Sequence, residues 1–267
     1  MKQLERQNAI LRQLQTQGAV SIQSLSEQLG TSVVTIRKDL LSLEERKLLR
    51  RVTGGAVVYQ EKEDTALPTV LSSTIHLELK QQVAHEAAKL IRSGDSLVVT
   101  SGATPHLTLY YASANCSNLK ILTDSILVAE DFCRNQDYQV LILGGELDVE
   151  HHFVHGRDAV RQVSNYMADK AIVTIDGIDP DAGLSAILME GADTNKTILS
   201  RARERILVAD ITKIGLECFC HIGDLSLIDI LVTNHTEDAE KLHILSRIEA
   251  AGVRVIMAPA VTAENEY

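Results

Sequence analysis

The 267-residue sequence lacks any run approaching the roughly 18 uninterrupted apolar residues that a membrane-spanning helix needs. Its start, MKQLERQNAI, is polar and charged, so a signal peptide is not expected and a cytoplasmic protein is. Cysteines are few: Cys116, Cys133, Cys218 and Cys220 are scattered, which suits a reducing compartment and excludes a disulfide framework. No GxGxxG or Walker pattern announces a nucleotide. Zinc sites show wider paired spacings than Cys218-Phe219-Cys220-His221, so these read as buried strand cysteines, and no metal or cofactor is expected.

Net charge is −10 and 45% of residues are hydrophobic, enough to bury a sizeable core in one smaller and one larger domain. The charge is uneven. Residues 1–60 hold nine Lys and Arg against five Asp and Glu, a net +4, so the remainder carries −14. That asymmetry predicts a nucleic-acid-facing head on an acidic body.

The pattern of the head agrees. Residues 3–17 suit a helix with Ile10, Leu11 and Leu14 inward, stopped by Gly18. Ser21 can cap a second helix with Ile22, Leu25 and Leu29 on one face, ended by Gly30. Ser32 can cap a third, with Val33, Ile36, Leu40 and Leu43 as its apolar stripe. At about 100° per residue Lys38 lies opposite that stripe, flanked by Val34, Thr35 and Ser42, with Arg37 at the edge. LLRRVTGGAVVY then reads as a hairpin around Thr53-Gly54-Gly55. Two capped helices about a glycine turn, followed by a hairpin, describe a winged helix-turn-helix over residues 1–58. The candidate contacts with double-stranded operator DNA are Arg6, Ser32, Val34, Thr35, Arg37, Lys38 and Ser42, with Arg50 and Arg51 on the wing.

SVVTIRKDLLSLEERKLLRRVTGGA resembles the signature of the DeoR family of bacterial transcription regulators: a Ser, then Thr-Ile-Arg-Arg-Asp-Leu, a Leu-x-Arg, and a His-Gly-Gly-Ala wing. Ser32, Thr35, Ile36, Arg37, Asp39, Leu40, Leu49, Arg51, Gly54, Gly55 and Ala56 match it. Lys38 replaces the second Arg, Lys47 stands where Gly is common, and Thr53 replaces His.

Residues 59–76 contain Pro68 and a serine pair without periodicity and read as a linker to a body at 77–267. In the body Lys80–Ile91 reads as an amphipathic helix and Gly94-Asp95 as a turn. Seven apolar strand-like runs follow, at 96–100, 119–123, 139–143, 170–175, 205–209, 230–233 and 254–258, mostly separated by helical segments. Runs of consecutive apolar residues alternating with helices predict an α/β fold with a mostly parallel sheet covered on both faces. Nearly every strand ends in small or polar residues (TSGATP, TDS, GGE, DGIDPDAG, ADITK, TN), and ligands of open α/β sheets lie beyond the carboxyl ends of the strands.

In Ser101-Gly102-Ala103-Thr104-Pro105, Thr104 can serve as N-cap and Pro105 as first helical residue. The loop is either a phosphate cradle or an ordinary strand-to-helix turn. The body is similar to the DeoR-type effector domain, related to the ribose-5-phosphate isomerase-like fold, from about Lys80 to Asn234. That resemblance implies a phosphorylated-sugar effector. Thr100–Thr104 stands for the family's Asp-Ser-Gly-Thr-Thr, Asp124-Ser125 for Asn-Ser, and Gly144-Gly145 for Gly-Gly. Asp176, Gly177 and Asp179, with Gly183-Leu184, stand for Gly-x-Asp and Gly-Leu, and Asp210 with Lys213 for Asp-x-x-Lys. Thr100, Ala103 and Asp124 depart from the family residue. Ser101, Gly102, Ala103 and Thr104 would cradle phosphate with Lys213 as counter-charge. Asp176, Asp179 and Asp210 would accept from sugar hydroxyls, or else serve as helix caps or solvated loop residues. His151, His152 and His155 in EHHFVH read as a polar lid in preference to a metal site.

Two functions are compatible with these residues: a sugar-phosphate-responsive regulator, usually a repressor in this family, and a phosphosugar isomerase-like enzyme with Asp176 or Asp179 as base and Lys213 as stabiliser. The winged head favours the regulator, since an isomerase has no use for it. Heads reading paired half-sites predict a homodimer or tetramer.

Overall fold

The structure, a computed structural model, describes residues 6–7, 9–11, 13, 19–45, 48–52, 55–58 and 76–259. The chain divides into two compact units, 1–66 and 67–267. The predicted linker 59–76, apart from His76, lies outside the described residues, as do Gly18, Thr53 and Gly54.

In the first unit residues 6, 7, 9–11 and 13 are helical. They are followed by β1 (Ala19–Ser21), α1 (Ile22–Gln28), α2 (Val33–Glu45), β2 (Leu49–Val52) and β3 (Gly55–Val58). Both expected caps form: Ser21 Oγ accepts the Ser24 amide at 3.0 Å, and Ser32 Oγ accepts the Thr35 amide at 3.2 Å. Gly30 takes φ +57 between the helices, a conformation that side chains disfavour. Ile10, Leu25, Ile36, Leu40, Leu43, Leu49 and Ala56 form a fully buried core, so the stripe of α2 faces inward except at Val33, which is exposed at the helix start. β1 escaped the sequence reading. It pairs antiparallel with β3, making a three-stranded sheet of order β1-β3-β2.

The second unit opens with α3 (Leu77–Ala88). It continues through β4 (Ser96–Val99), α4 (Ala103–Ser113), β5 (Lys120–Thr123), α5 (Ile126–Phe132) and β6 (Gln139–Ile142). A hairpin of β7 (Glu146–Asp148) and β8 (Phe153–His155) precedes α6 (Arg157–Val163) and β9 (Ala168–Val173). Then come β10 (Gly177–Asp179), β11 (Gly183–Ala186), α7 (Met189–Leu199), β12 (Ala202–Val208) and a 3-10 turn (Ile211–Lys213). The last elements are β13 (Cys220–Gly223), a second 3-10 turn (Leu225–Leu227), β14 (Ile230–Asn234), α8 (Ala239–Ala250) and β15 (Arg254–Ala258).

All seven predicted runs join one parallel sheet of order β15-β14-β12-β9-β4-β5-β6. Alternate residues feed opposite faces, as strand geometry requires. Val98, Leu122, Leu207 and Leu231 pack with α6, α7 and α8, while Leu97, Val99, Ile121, Ile206 and Val208 pack with α3, α4 and α5. Helices therefore cover both faces. A small antiparallel sheet, β10-β11-β13, stands apart from this layer. Among the described residues no helix is long and apolar enough to cross a membrane.

Two expectations need correcting. EHHFVH is not a lid loop: Phe153 and Val154 are buried in β8, paired with β7, and Val154 joins the apolar layer over the sheet. Cys218 and Cys220 are only partly buried, because β13 is an outer strand of its small sheet.

Candidate nucleic-acid interface and ligand crevice

The outer face of α2 carries Val34, Arg37 and Lys38 in solvent, with Ser32 exposed at its start. Thr35 and Ser42 are half-buried, and Ser32 Oγ and Thr35 Oγ1 are 2.9 Å apart. This face offers two cations for phosphate or base edges and an apolar side chain for a thymine methyl. Arg50 and Arg51 occupy successive positions of β2, opposite Val57 and Ala56. Arg6 is engaged within the head. Its guanidinium is ion-paired with Asp39, and the two side chains are 12% and 1% exposed. Sequence placed Arg6 among the DNA contacts; the structure commits it to neutralising a buried carboxylate of α2. That pairing also removes a negative charge from beneath the exposed cations.

In the sheet β4 and β9 are neighbours, yet the chain leaves β4 toward β5 and β6 and leaves β9 toward β12, β14 and β15. The order reverses between them, and in open α/β sheets the place for a ligand crevice is at such a reversal, beyond the carboxyl ends of the strands. On one side is the half-exposed loop Ser101-Gly102-Ala103. Gly102 has φ +125, and a Cβ built on it would lie 2.7 Å from Thr174 Cγ2, so only glycine lets the β4 loop come this close to Thr174. Gly102 also begins α4, an 11-residue helix whose first amides, those of Ala103 and Thr104, have no helical carbonyl to bond. This corrects the capping expectation: Gly102, not Thr104, is the N-cap. Thr104 and Pro105 follow as the second and third helical residues, because only glycine fits against Thr174 in that conformation. Thr104 is buried, its carbonyl accepting the Thr108 hydroxyl at 2.8 Å.

From the other side comes Lys213, at the end of the turn after β12. Its ammonium donates to Thr174 Oγ1 at 3.2 Å and to the Ile175 carbonyl, leaving one proton for another acceptor. Burial lowers its pKa, opposed by the nearby charges of Asp176 and Asp210. Beneath the loop Asp124 is 2% exposed and its Oδ1 accepts the Ser101 amide at 2.6 Å. Burial pushes this carboxyl up to about 7, against the pull of amide hydrogen bonds. Thr100 is buried, its hydroxyl 3.5 Å from the Ile172 carbonyl and 3.3 Å from the Thr174 amide, so it laces β4 to β9.

Several residues read as ligand contacts are engaged in holding the fold. Asp179 Oδ1 accepts the amides of Asp181 and Ala182, closing the turn between β10 and β11. Asp210 Oδ1 accepts the Thr212 amide at 3.1 Å, capping the turn that presents Lys213. A Cβ on Gly177 would lie 2.4 Å from the Leu216 carbonyl, and one on Gly145 2.4 Å from that of His155, so both glycines serve backbone approach. Gly144 donates its amide to Gln162 Oε1 at 2.9 Å. Asp176 stays closer to its expected place: one oxygen accepts the Ile187 amide at 2.9 Å and its charge acts on Lys213.

Thr174 and Asn234 went unnoticed as site residues. Asn234 Oδ1 accepts the Ile211 amide at 3.0 Å, and its Nδ2 donates to the Leu79 carbonyl and Gln82 Oε1 at 2.9 and 3.0 Å. It ties the lysine-bearing turn to α3. Its position at a strand end was the only local signal.

Residues 75–235 match the model of the DeoR C-terminal sensor domain, and residues 6–62 that of the DeoR-like helix-turn-helix domain. The glycerol-3-phosphate regulon repressor of Escherichia coli K12 is 30% identical over 92% of this chain and 96% of that protein. The HTH-type transcriptional repressor GlcR of Bacillus subtilis is 27% identical over 92% and 94%. Among solved structures, ribose 5-phosphate isomerase A from Methanocaldococcus jannaschii aligns with a TM-score of 0.36 and 17% identity, over 51% of this chain and 53% of that one. These two relatives, matched along nearly their whole length, are repressors, and the protein is a DNA-binding regulator, not an enzyme. With both of its units matched, the chain belongs to the DeoR family of helix-turn-helix transcription regulators.

Proposed function

We propose that this regulator is a cytoplasmic repressor of a carbohydrate-utilisation operon, acting as a homodimer or tetramer, whose hold on its operator is modulated by a phosphorylated sugar or sugar derivative. The observation that carries the reading is the set of donors gathered at the switch point. There an 11-residue helix directs unbonded amides outward from a glycine pressed on Thr174, and Lys213 turns an ammonium onto the same threonine. Amides at a helix start and a lysine are the donors a phosphate takes. Local donors matter here because an anion must approach a chain whose residues 61–267 carry net −14. Asp176, half-buried beside Lys213, is available to a sugar hydroxyl.

An effector releases DNA only if it binds the two conformations with unequal affinity. Thermal unfolding of the full chain against a panel of phosphorylated sugars and polyols tests the proposal. A true effector at 100 times its dissociation constant adds about 2.7 kcal/mol of stability. The Lys213→Ala variant keeps near-normal operator affinity in a gel-shift titration but no longer responds to that compound. A variant responding at the wild-type concentration shows that the site lies elsewhere.

A further inference from the structure

At the switch point sits a carboxyl group that has no cationic partner among the described residues. Asp124 is buried, and it accepts the amide of Ser101, the residue that opens the loop proposed to hold the anion. Its own carbonyl accepts the Val154 amide at 2.9 Å, so it is fixed between that loop and the β7–β8 hairpin. The ionisable groups on the surrounding elements do not neutralise it. His106 of α4 lies 2.9 Å from Asp131 of α5, and His151 lies 3.1 Å from Asp148. Glu146 and His152 are exposed and His155 half-buried on the hairpin, Glu130 of α5 is exposed, and Lys213 is turned onto Thr174 and Ile175. Burial therefore dominates the environment of Asp124, opposed only by amide donors.

An anion resting on the amides of Ala103 and Thr104 would meet an ionised Asp124 through the Ser101 peptide. Like charges at that range in a poorly solvated pocket are costly. A neutral carboxyl keeps an oxygen for the Ser101 amide without the repulsion. Asparagine, the residue the family resemblance expects here, would accept the same amide and never titrate.

Building on the reading of the crevice as an anion site, we propose that Asp124 carries a proton whenever the anion is held. Capture of the effector thus takes up one proton from solvent and is favoured by acidification through neutrality. The repressor would then report two quantities through one site, the concentration of an anionic metabolite and the local pH.

Inorganic sulfate is the probe, because it stays a dianion over the range where phosphate esters titrate. Its affinity for the full chain and for Asp124→Asn is measured at about pH 6 and about pH 8. With a group titrating near 7, the binding-competent fraction falls from about nine-tenths to about one-tenth, so the wild type weakens about tenfold. The variant loses this decrement, so its affinity relative to the wild type at the same pH rises about tenfold from about pH 6 to about pH 8. Contributions from histidines and Lys213 appear in both proteins and cancel in the ratio. The wild type is also titrated calorimetrically at about pH 8 in two buffers of different ionisation heat, which reads proton uptake without any variant. Close to one proton per sulfate is expected, and none overturns the inference, as does an equal pH dependence in the two proteins. If neither protein binds sulfate or inorganic phosphate at either pH, the anion-site reading fails and this inference falls with it.

Discussion

The two units keep their working groups in opposite conditions. In the head Val34, Arg37 and Lys38 project from α2 into solvent, while a buried carboxylate of that helix, Asp39, is matched by Arg6. In the body Asp124 and Thr100 are buried and Lys213 is turned inward, and Asp124 has no cation. The contrast follows from what each unit touches. A DNA surface supplies its own field of charges, so a reading helix needs cations in the open on a rigid support. A small anion must be taken out of water, and the donors that replace its hydration must be in place beforehand. The head therefore neutralises its buried charge permanently, whereas the body leaves one to be settled by protonation.

Three substitutions probe that contrast. The largest effect is expected from Arg6→Met, which strands Asp39 in the core of the head. Breaking such a pair costs about 3–5 kcal/mol, read as a lowered unfolding midpoint for the head, and an unchanged midpoint would restore Arg6 to the DNA surface. Next is Asp124→Asn. A carboxyl raised by folding is protonated in the native state where the unfolded chain has already lost its proton. The contribution of this group to wild-type stability is therefore greatest below about pH 4 and declines until the native group ionises near 7. The stability gap in favour of the variant should widen by about 2–3 kcal/mol from about pH 5 to about pH 8. A constant gap would mean that the site is better hydrated than its burial implies. Smallest is Arg37→Ala, expected to weaken operator binding by about 1–3 kcal/mol if it reads a base edge, with thermal stability untouched. Unchanged affinity at fixed salt would take Arg37 off the interface.

How far each unit could be read in advance depends on the range of its contacts. The caps at Ser21 and Ser32, the left-handed Gly30 and the stripe through Ile36, Leu40 and Leu43 are local, and the sequence displays them. The seven sheet strands were equally legible, because strands buried on both faces are continuously apolar. The pairing of Arg6 with Asp39, 33 residues apart, has no local signature, and a basic residue in a basic head was read as a DNA contact. The same limit hid the roles of Gly145 and Gly177, whose reason lies in carbonyls of distant segments. Asp179 and Asp210 show a different difficulty. A strand-end aspartate is equally suited to a sugar hydroxyl and to its own turn, and only the backbone that follows decides between them.

The adjacency of β4 and β9 also has a consequence in time. Val98 is registered against Ala171, 73 residues later in the chain. At about 5–20 residues per second of synthesis, one edge of β4 waits roughly 4–15 s for its partner, whereas the head has already left the ribosome. Until β9 arrives there is no Thr174 for Gly102 to rest on, so the crevice does not exist. A nascent repressor thus acquires its reading helix before its means of being told to let go. On the function proposed above, the newest molecules would be blind to the effector, and an induced cell would keep a short-lived population still able to close the operator.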